Sequence, residues 1–136
     1  MERIVVAAKA GSDQPWLADA AAELAHQTGA SVSVVALDGV DVEALSSLPR
    51  SEYQAMAQSA VDGFLERLTA AGIAAEGDVR PGPVSTGVLL YAEEKDADVI
   101  VCGASTKGKV ARRILGSVPV ELIRRARRPV LVIGPS

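Results

Sequence analysis

Aromatic residues are scarce in this chain of 136: one tryptophan, two tyrosines and one phenylalanine. Single-stranded nucleic-acid binders need several aromatic platforms, so nucleic acid is not an expected partner. Cysteine occurs once, as Cys102, which excludes an internal disulfide framework and a CxxC metal knuckle and fits a reducing compartment. Histidine also occurs once, as His26, inside a predicted helix, so a Ser-His-Asp triad has no natural place. No set of His, Cys, Asp and Glu has metal-ligand spacing, and no metal is expected. No apolar run approaches the ~18 residues that span a bilayer. The first run, Ile4 to Ala8, is shorter than a signal-peptide core of ~7–15 residues. The expectation is a cytoplasmic protein with no membrane association.

What is present is a strongly apolar chain, 49% hydrophobic and 23% charged, which excludes a disordered polymer. The length suits one domain spanning residues 1–136, with a core supplied by Val, Leu, Ile and Ala. Charge is unevenly distributed. Residues 104–136 hold eight cations (Lys107, Lys109, Arg112, Arg113, Arg124, Arg125, Arg127, Arg128) against Glu121 alone. The other six cations and sixteen anions precede them. A basic last third in an acidic chain favours an anionic ligand or an acidic protein partner. Arg124 to Arg128 also fall where a helix should end, and there cations complement the macrodipole.

Strand and helix signals alternate. Ile4 to Ala8 reads as a strand buried on both faces. Asp13 is an N-cap candidate with Pro15 near the first helical position, and Gly29 stops that helix. Ser31 to Leu37 reads as a second strand, and 38–50 as a long connection. Ser51 to Ala71 has one apolar face, Ala57, Val61, Phe64, Leu68 and Ala71, with Ser51 and Gln54 at capping-box spacing. A weaker strand, Ile73 to Arg80, precedes the punctuation Pro81-Gly82-Pro83 and a helix from Val84 to Lys95. Asp98 to Cys102 is a buried strand, Ser117 to Arg127 a fourth helix and Pro129 to Ile133 a last strand. Five strands alternating with four helices give βαβ units, right-handed crossovers and a doubly wound α/β fold with helices on both faces. Ligands of such folds sit beyond the carboxyl ends of the strands, at the switch point.

The segment Gly103-Ala104-Ser105-Thr106-Lys107-Gly108-Lys109 follows a strand and leads to Gly116-Ser117 before a helix. Backbone N–H groups at a helix N-terminus favour phosphate, lysines add charge, and the Ser117 hydroxyl can cap the helix or donate to a phosphate oxygen. The spacing is close to a P-loop, but Val110 stands where that motif needs a hydroxyl for Mg²⁺, and Gly116 to Pro119 interrupts the required helix. Asp38 and Asp41 can either face a ligand or solvate a loop. Cys102 reads as an inert core thiol and Trp16 as the edge of the core.

The chain resembles the universal stress protein family. The resemblance rests on Ala97-Asp98-Val99-Ile100-Val101-Cys102-Gly103, on Leu115-Gly116-Ser117-Val118 and on Arg128-Pro129-Val130-Leu131-Val132-Ile133. Gly103 and Gly116 stand thirteen positions apart, as the family's outer glycines do. Arg3 to Ala7 matches the opening strand, and Gly82-Pro83 with Tyr91 to Glu94 the third unit. The resemblance implies an adenine nucleotide α-hydrolase-like sheet of order 3-2-1-4-5, a homodimer through strand 130–133, and ATP or another adenine nucleotide at the carboxyl edge. The implied nucleotide-binding residues are Gly103, Thr106, Lys107, Gly108, Gly116, Ser117 and Val118, with Lys9 and Val35 nearby. Three positions depart from the pattern: Thr106 replaces a glycine, Lys9 an acidic residue and Pro119 a hydroxyl residue. The expected function is a non-enzymatic, stress-responsive regulatory domain. The alternative is an interaction module of the same fold, acting through its basic C-terminal face without a nucleotide. An ATPase or nucleotide transferase ranks last, because no general base falls near the loop.

Overall fold

The computed structural model describes residues 1–39, 48–104 and 116–135. Nine elements alternate along them: β1 (Arg3–Ala7), α1 (Pro15–Thr28), β2 (Ser31–Leu37), α2 (Arg50–Ala70), β3 (Ala75–Arg80), α3 (Val84–Glu94), β4 (Val99–Gly103), α4 (Ser117–Arg125) and β5 (Val130–Ile133). All strand pairs are parallel, and the sheet order is β3-β2-β1-β4-β5. This is the doubly wound sheet expected from the alternation, in the order implied by the resemblance.

The three inner strands are apolar nearly throughout because each has helices on both faces. Alternate residues of one strand therefore enter different cores. Ile4 and Val6 pack with Leu17, Ala21, Val61, Phe64 and Leu68 beneath α1 and α2. Val5, Ala7, Val35 and Ile100 pack with Val88, Tyr91 and Leu122 beneath α3 and α4. Cys102 lies in this second core, and burial pushes its thiol up to about 11, as an inert sulfur requires.

Element ends differ from the sequence reading where a better partner is available. Gln14, not Asp13, holds the cap position of α1, because Pro15 is the first helical residue. Pro49, not Ser51, precedes α2. The Ser51–Gln54 capping box does not form, since Ser51 is already helical and the Gln54 amide donates to Asp38 at 3.2 Å. Gly29, at φ 73°, ends α1 with its N–H on the Ala25 carbonyl, as read. His26 is exposed, and its Nε2 lies 2.9 Å from the Ala71 carbonyl oxygen, tying the ends of α1 and α2.

The two edge strands are built differently. Beside β3, the buried Tyr91 hydroxyl donates to Asp78 at 2.9 Å, and Arg80 and Lys95 lie over its ring at 5.1 and 5.4 Å. Burial first, and Asp78 second, hold the Tyr91 phenol well above its ordinary value. Arg80 makes a two-bond pair with Glu94, and Lys95 pairs with Glu76. At the other end, β5 carries only Val130, Leu131, Val132 and Ile133. Leu131 is 40% exposed, and Ile123 on α4 is 51% exposed.

Candidate functional site

β1 and β4 are neighbours, but their following helices leave toward opposite faces of the sheet, α1 toward one core and α4 toward the other. A crevice therefore opens above Ala7 and Gly103, where such folds hold ligands. From β1, the Ala8 N–H donates to the Val35 carbonyl, and a turn closes through Ser12 N–H on the Lys9 carbonyl at 3.2 Å. Gly11 sits in that turn at φ 80°, a conformation suited to glycine. The Lys9 side chain is exposed, which leaves its charge in solvent beside the crevice.

From β4, Gly103 forms the floor. A Cβ there would lie 2.5 Å from Trp16 Cη2 and 2.9 Å from Gln14 Nε2, so only glycine permits this approach of α1 to the strand. Trp16 is half-buried against the first core, as expected of a core-edge residue. From the other side, α4 starts at the carboxyl edge. Gly116 is its cap residue at φ 93°, and Ser117 is its first helical residue. Ser117 is exposed and already helical, so it is not the cap residue, and among the described residues its hydroxyl has no hydrogen-bond partner. Pro119 is buried and brings no N–H to that turn. Val118 is half-buried against the second core.

The structure brings Lys9, Gly103, Gly116, Ser117 and Val118 to one edge of the sheet. Val35 lies in β2 with its side chain fully buried toward α3, leaving its backbone carbonyl to Ala8. Thr106, Lys107 and Gly108 lie outside the described residues, as do Lys109, Arg112, Arg113 and Asp41. Arg124, Arg125 and Arg127 are exposed at the end of α4. Arg124 reaches Glu121 at 3.4 Å and Arg125 the Thr86 hydroxyl at 3.3 Å.

Asp38, a ligand candidate from sequence, is already engaged. It is 4% exposed, and its carboxylate accepts from Arg50 at 3.2 Å, Gln54 at 3.2 Å and the Gly82 N–H at 3.3 Å. One buried charge thus joins the end of β2, the start of α2 and the turn before α3. Sequence reasoning passed over Gln14. Its Oε1 accepts from the Lys9 N–H at 3.1 Å, and it also lines a groove of about 400 Å³ between the β1–α1 turn and α2, with Ser12, Met56, Ser59 and Phe64. The only signal in the sequence was its place directly before Pro15. No cluster of three metal-ligating side chains occurs among the described residues, and none of their helices is long and apolar enough to cross a membrane.

The arrangement offers hydrogen-bond donors and a close backbone approach at the switch point, which is chemistry suited to an acceptor-rich anion. A universal stress protein of Methanocaldococcus jannaschii is 36% identical over 62 residues, covering 46% of this chain and 36% of that protein. The matched stretch is thus about a third of that curated relative's length. The universal stress protein of Archaeoglobus fulgidus, solved in complex with dAMP, superposes with a TM-score of 0.76 at 25% identity, covering 98% of each chain. A universal stress protein solved in complex with cAMP gives 0.76 at 26% identity, covering 99% of this chain and 98% of that one. The family model described as the universal stress protein family matches residues 1–134, and with the sheet order and the Gly103 and Gly116-Ser117 edge it places this chain in the universal stress protein family.

Proposed function

We propose that this domain is a non-enzymatic regulatory module that binds an adenine nucleotide, ATP among the candidates, at the carboxyl edge between β1 and β4. The observation that carries the reading is the convergence of Gly103, Gly116 and Ser117 on one carboxyl edge, with the start of α4 exposed there at Ser117. Relatives of the same fold, at 25% and 26% identity, were solved with dAMP and cAMP. In this reading the phosphates meet Gly116, Ser117 and Val118 with the segment holding Thr106, Lys107 and Gly108, and Lys9 supplies a further cation from the β1 side. The domain works as a homodimer paired through strand 130–133, whose edge is open and apolar.

The test is to denature the purified protein, analyse the supernatant for nucleotides, and titrate ATP and AMP against the folded protein. Adenine nucleotide near one per chain, or a rise in melting temperature with ligand concentration, is the expected result. No bound nucleotide and no shift at millimolar ATP or AMP would overturn it. That outcome would favour the second reading, an interaction module that meets an acidic protein through its basic C-terminal face. Its supporting observation is the exposure of Arg124, Arg125 and Arg127, with Pro119 depriving the α4 start of one donor.

A further inference from the structure

We propose that the groove between the β1–α1 turn and α2 docks a basic amphipathic helix of a partner protein. The groove lies apart from the β1–β4 crevice, and the proposal needs no nucleotide. Its lining includes Met56, whose Cε lies 2.8 Å from where a Gly11 Cβ would be, and Arg67, which reaches Asp19 at 3.7 Å. Between these two, α2 presents Ser59, Ala60 and Gly63, whose short side chains leave the groove open. The buried Phe64 and Ala18 give it an apolar floor. Met56 and Arg67 are eleven positions apart, so the opening follows α2 for about 16 Å, or roughly three turns. Gly63 is exposed in the middle of a 21-residue helix, where glycine is among the poorest residues. The chain's own packing does not require it. Its φ is not positive, and a Cβ there would meet nothing within 4 Å. Gly77 and Gly87 differ, because a Cβ on them would stand 2.4 Å from Val61 and 2.2 Å from Leu37. An alanine at 63 would fit this chain and favour the helix. What glycine preserves is the open groove.

Charge decides what the groove receives. Asp13, Asp19, Glu23, Glu52, Asp62 and Glu66 are exposed on the β1–α1 turn, α1 and α2. Of these only Asp19 makes an ion pair among the described residues. The arginines of the two helices, Arg50 and Arg67, are both engaged, with Asp38 and Asp19, and neither helix contains a lysine. An apolar floor within an acidic surface suits a partner that is apolar along one stripe and cationic beside it. A helix meets that description, because residues at i, i+3, i+4 and i+7 share one face. Its apolar residues enter over Phe64 and beside Gly63, and its Lys or Arg side chains meet the unpaired carboxylates. The basic end of this chain's own α4 belongs to the other core, across the sheet.

The probe is a fluorescein-labelled synthetic peptide of lysine and alanine with leucines at i, i+4 and i+7. Two companion peptides carry alanine for the leucines, or glutamate for the lysines. Binding is read by fluorescence anisotropy at physiological salt. Wild type is expected to bind the leucine–lysine peptide in the micromolar range, and each companion about tenfold more weakly or worse. Gly63→Leu fills the groove without changing charge. It should weaken binding by about tenfold or more while its melting temperature does not fall, since leucine favours the helix and its Cβ meets open space. Wild-type affinity in Gly63→Leu would leave only surface charge as the attraction and overturn the proposal. Equal binding by either companion, or no binding by wild type at about 1 mM, would do the same. Sedimentation without peptide tests for another occupant: self-association of wild type that Gly63→Leu abolishes would give the groove to a second copy and overturn the partner helix. Should Gly63→Leu fail to fold, Ser59→Leu, at an exposed position one turn earlier, decides.

Discussion

At one end of the sheet, β3 is bordered by Glu76, Asp78 and Arg80, each tied to α3 or its end through Lys95, Tyr91 or Glu94. At the other end, β5 offers four aliphatic residues with Leu131 exposed, and on α4 Val120 and Ile123 are exposed as well. Among the described residues, both strands have one row of backbone groups without a partner strand. Charges along such a row discourage another strand from docking, whereas an aliphatic row invites one. β3 spends its charges within the chain, while in the homodimer proposed above the apolar row of β5 would receive a second copy.

The strongest way to break this comparison is Leu131→Lys. With β5 as the pairing edge, a cation there would be buried unpaired, and the dimer should weaken by about a hundredfold or more. Sedimentation equilibrium reads this directly, and an unchanged dimer mass would remove β5 from the interface. The next test addresses the opposite edge. Tyr91→Phe deletes the hydroxyl that Asp78 accepts, and it should cost about 1–2 kcal/mol in denaturant unfolding of a monomeric form such as Leu131→Lys. With β5 as the pairing edge, the same substitution should leave the dimer mass alone.

The smallest effect concerns acid. The Arg80 hydrogen bond lowers the Glu94 carboxyl below its ordinary 4.5. A carboxylate depressed in the folded state contributes stability that is present above its unfolded value and lost as pH falls through its folded one. Stability at the β3 edge should therefore hold from pH 7 to about 5 and decline below 4.5, and Glu94→Gln should flatten part of that acid limb. The pair is exposed, so the change is small and best seen as a difference in slope between the two proteins. Pairing through β5 involves no carboxylate of β5 itself and should be insensitive over the same range.

How much of this was legible in the sequence depends on the range of the interactions involved. The strands and helices were readable because apolar runs and 3.6-residue spacing are local. The face of α2 marked by Ala57, Val61, Phe64 and Leu68 is buried as read. The order of the strands came through the family resemblance, since alternation alone leaves several orders open. The side-chain appointments were less readable. Gln54 has the spacing of a capping-box residue, yet it turns to Asp38, which also attracts Arg50 and the Gly82 N–H. Asp38 reads as a loop residue because its three partners are distant or ordinary in sequence. Gln14 was passed over because Asp13 is the better intrinsic cap. Its amide has meaning only once β4 brings Gly103 beneath it. Of the site, the glycines and Ser117 were visible as motif positions, whereas the packing of Gln14 and Trp16 against Gly103 was a product of the fold.

The Asp38 junction has a consequence for how this chain can be altered. It fastens the end of β2 to the start of α2 and to the turn before α3 through one carboxylate. Asp38→Ala would take the shared acceptor from the Arg50 guanidinium, the Gln54 amide and the Gly82 N–H at once, so a single substitution loosens three segments that are distant in sequence, where a change at any one donor loosens only its own.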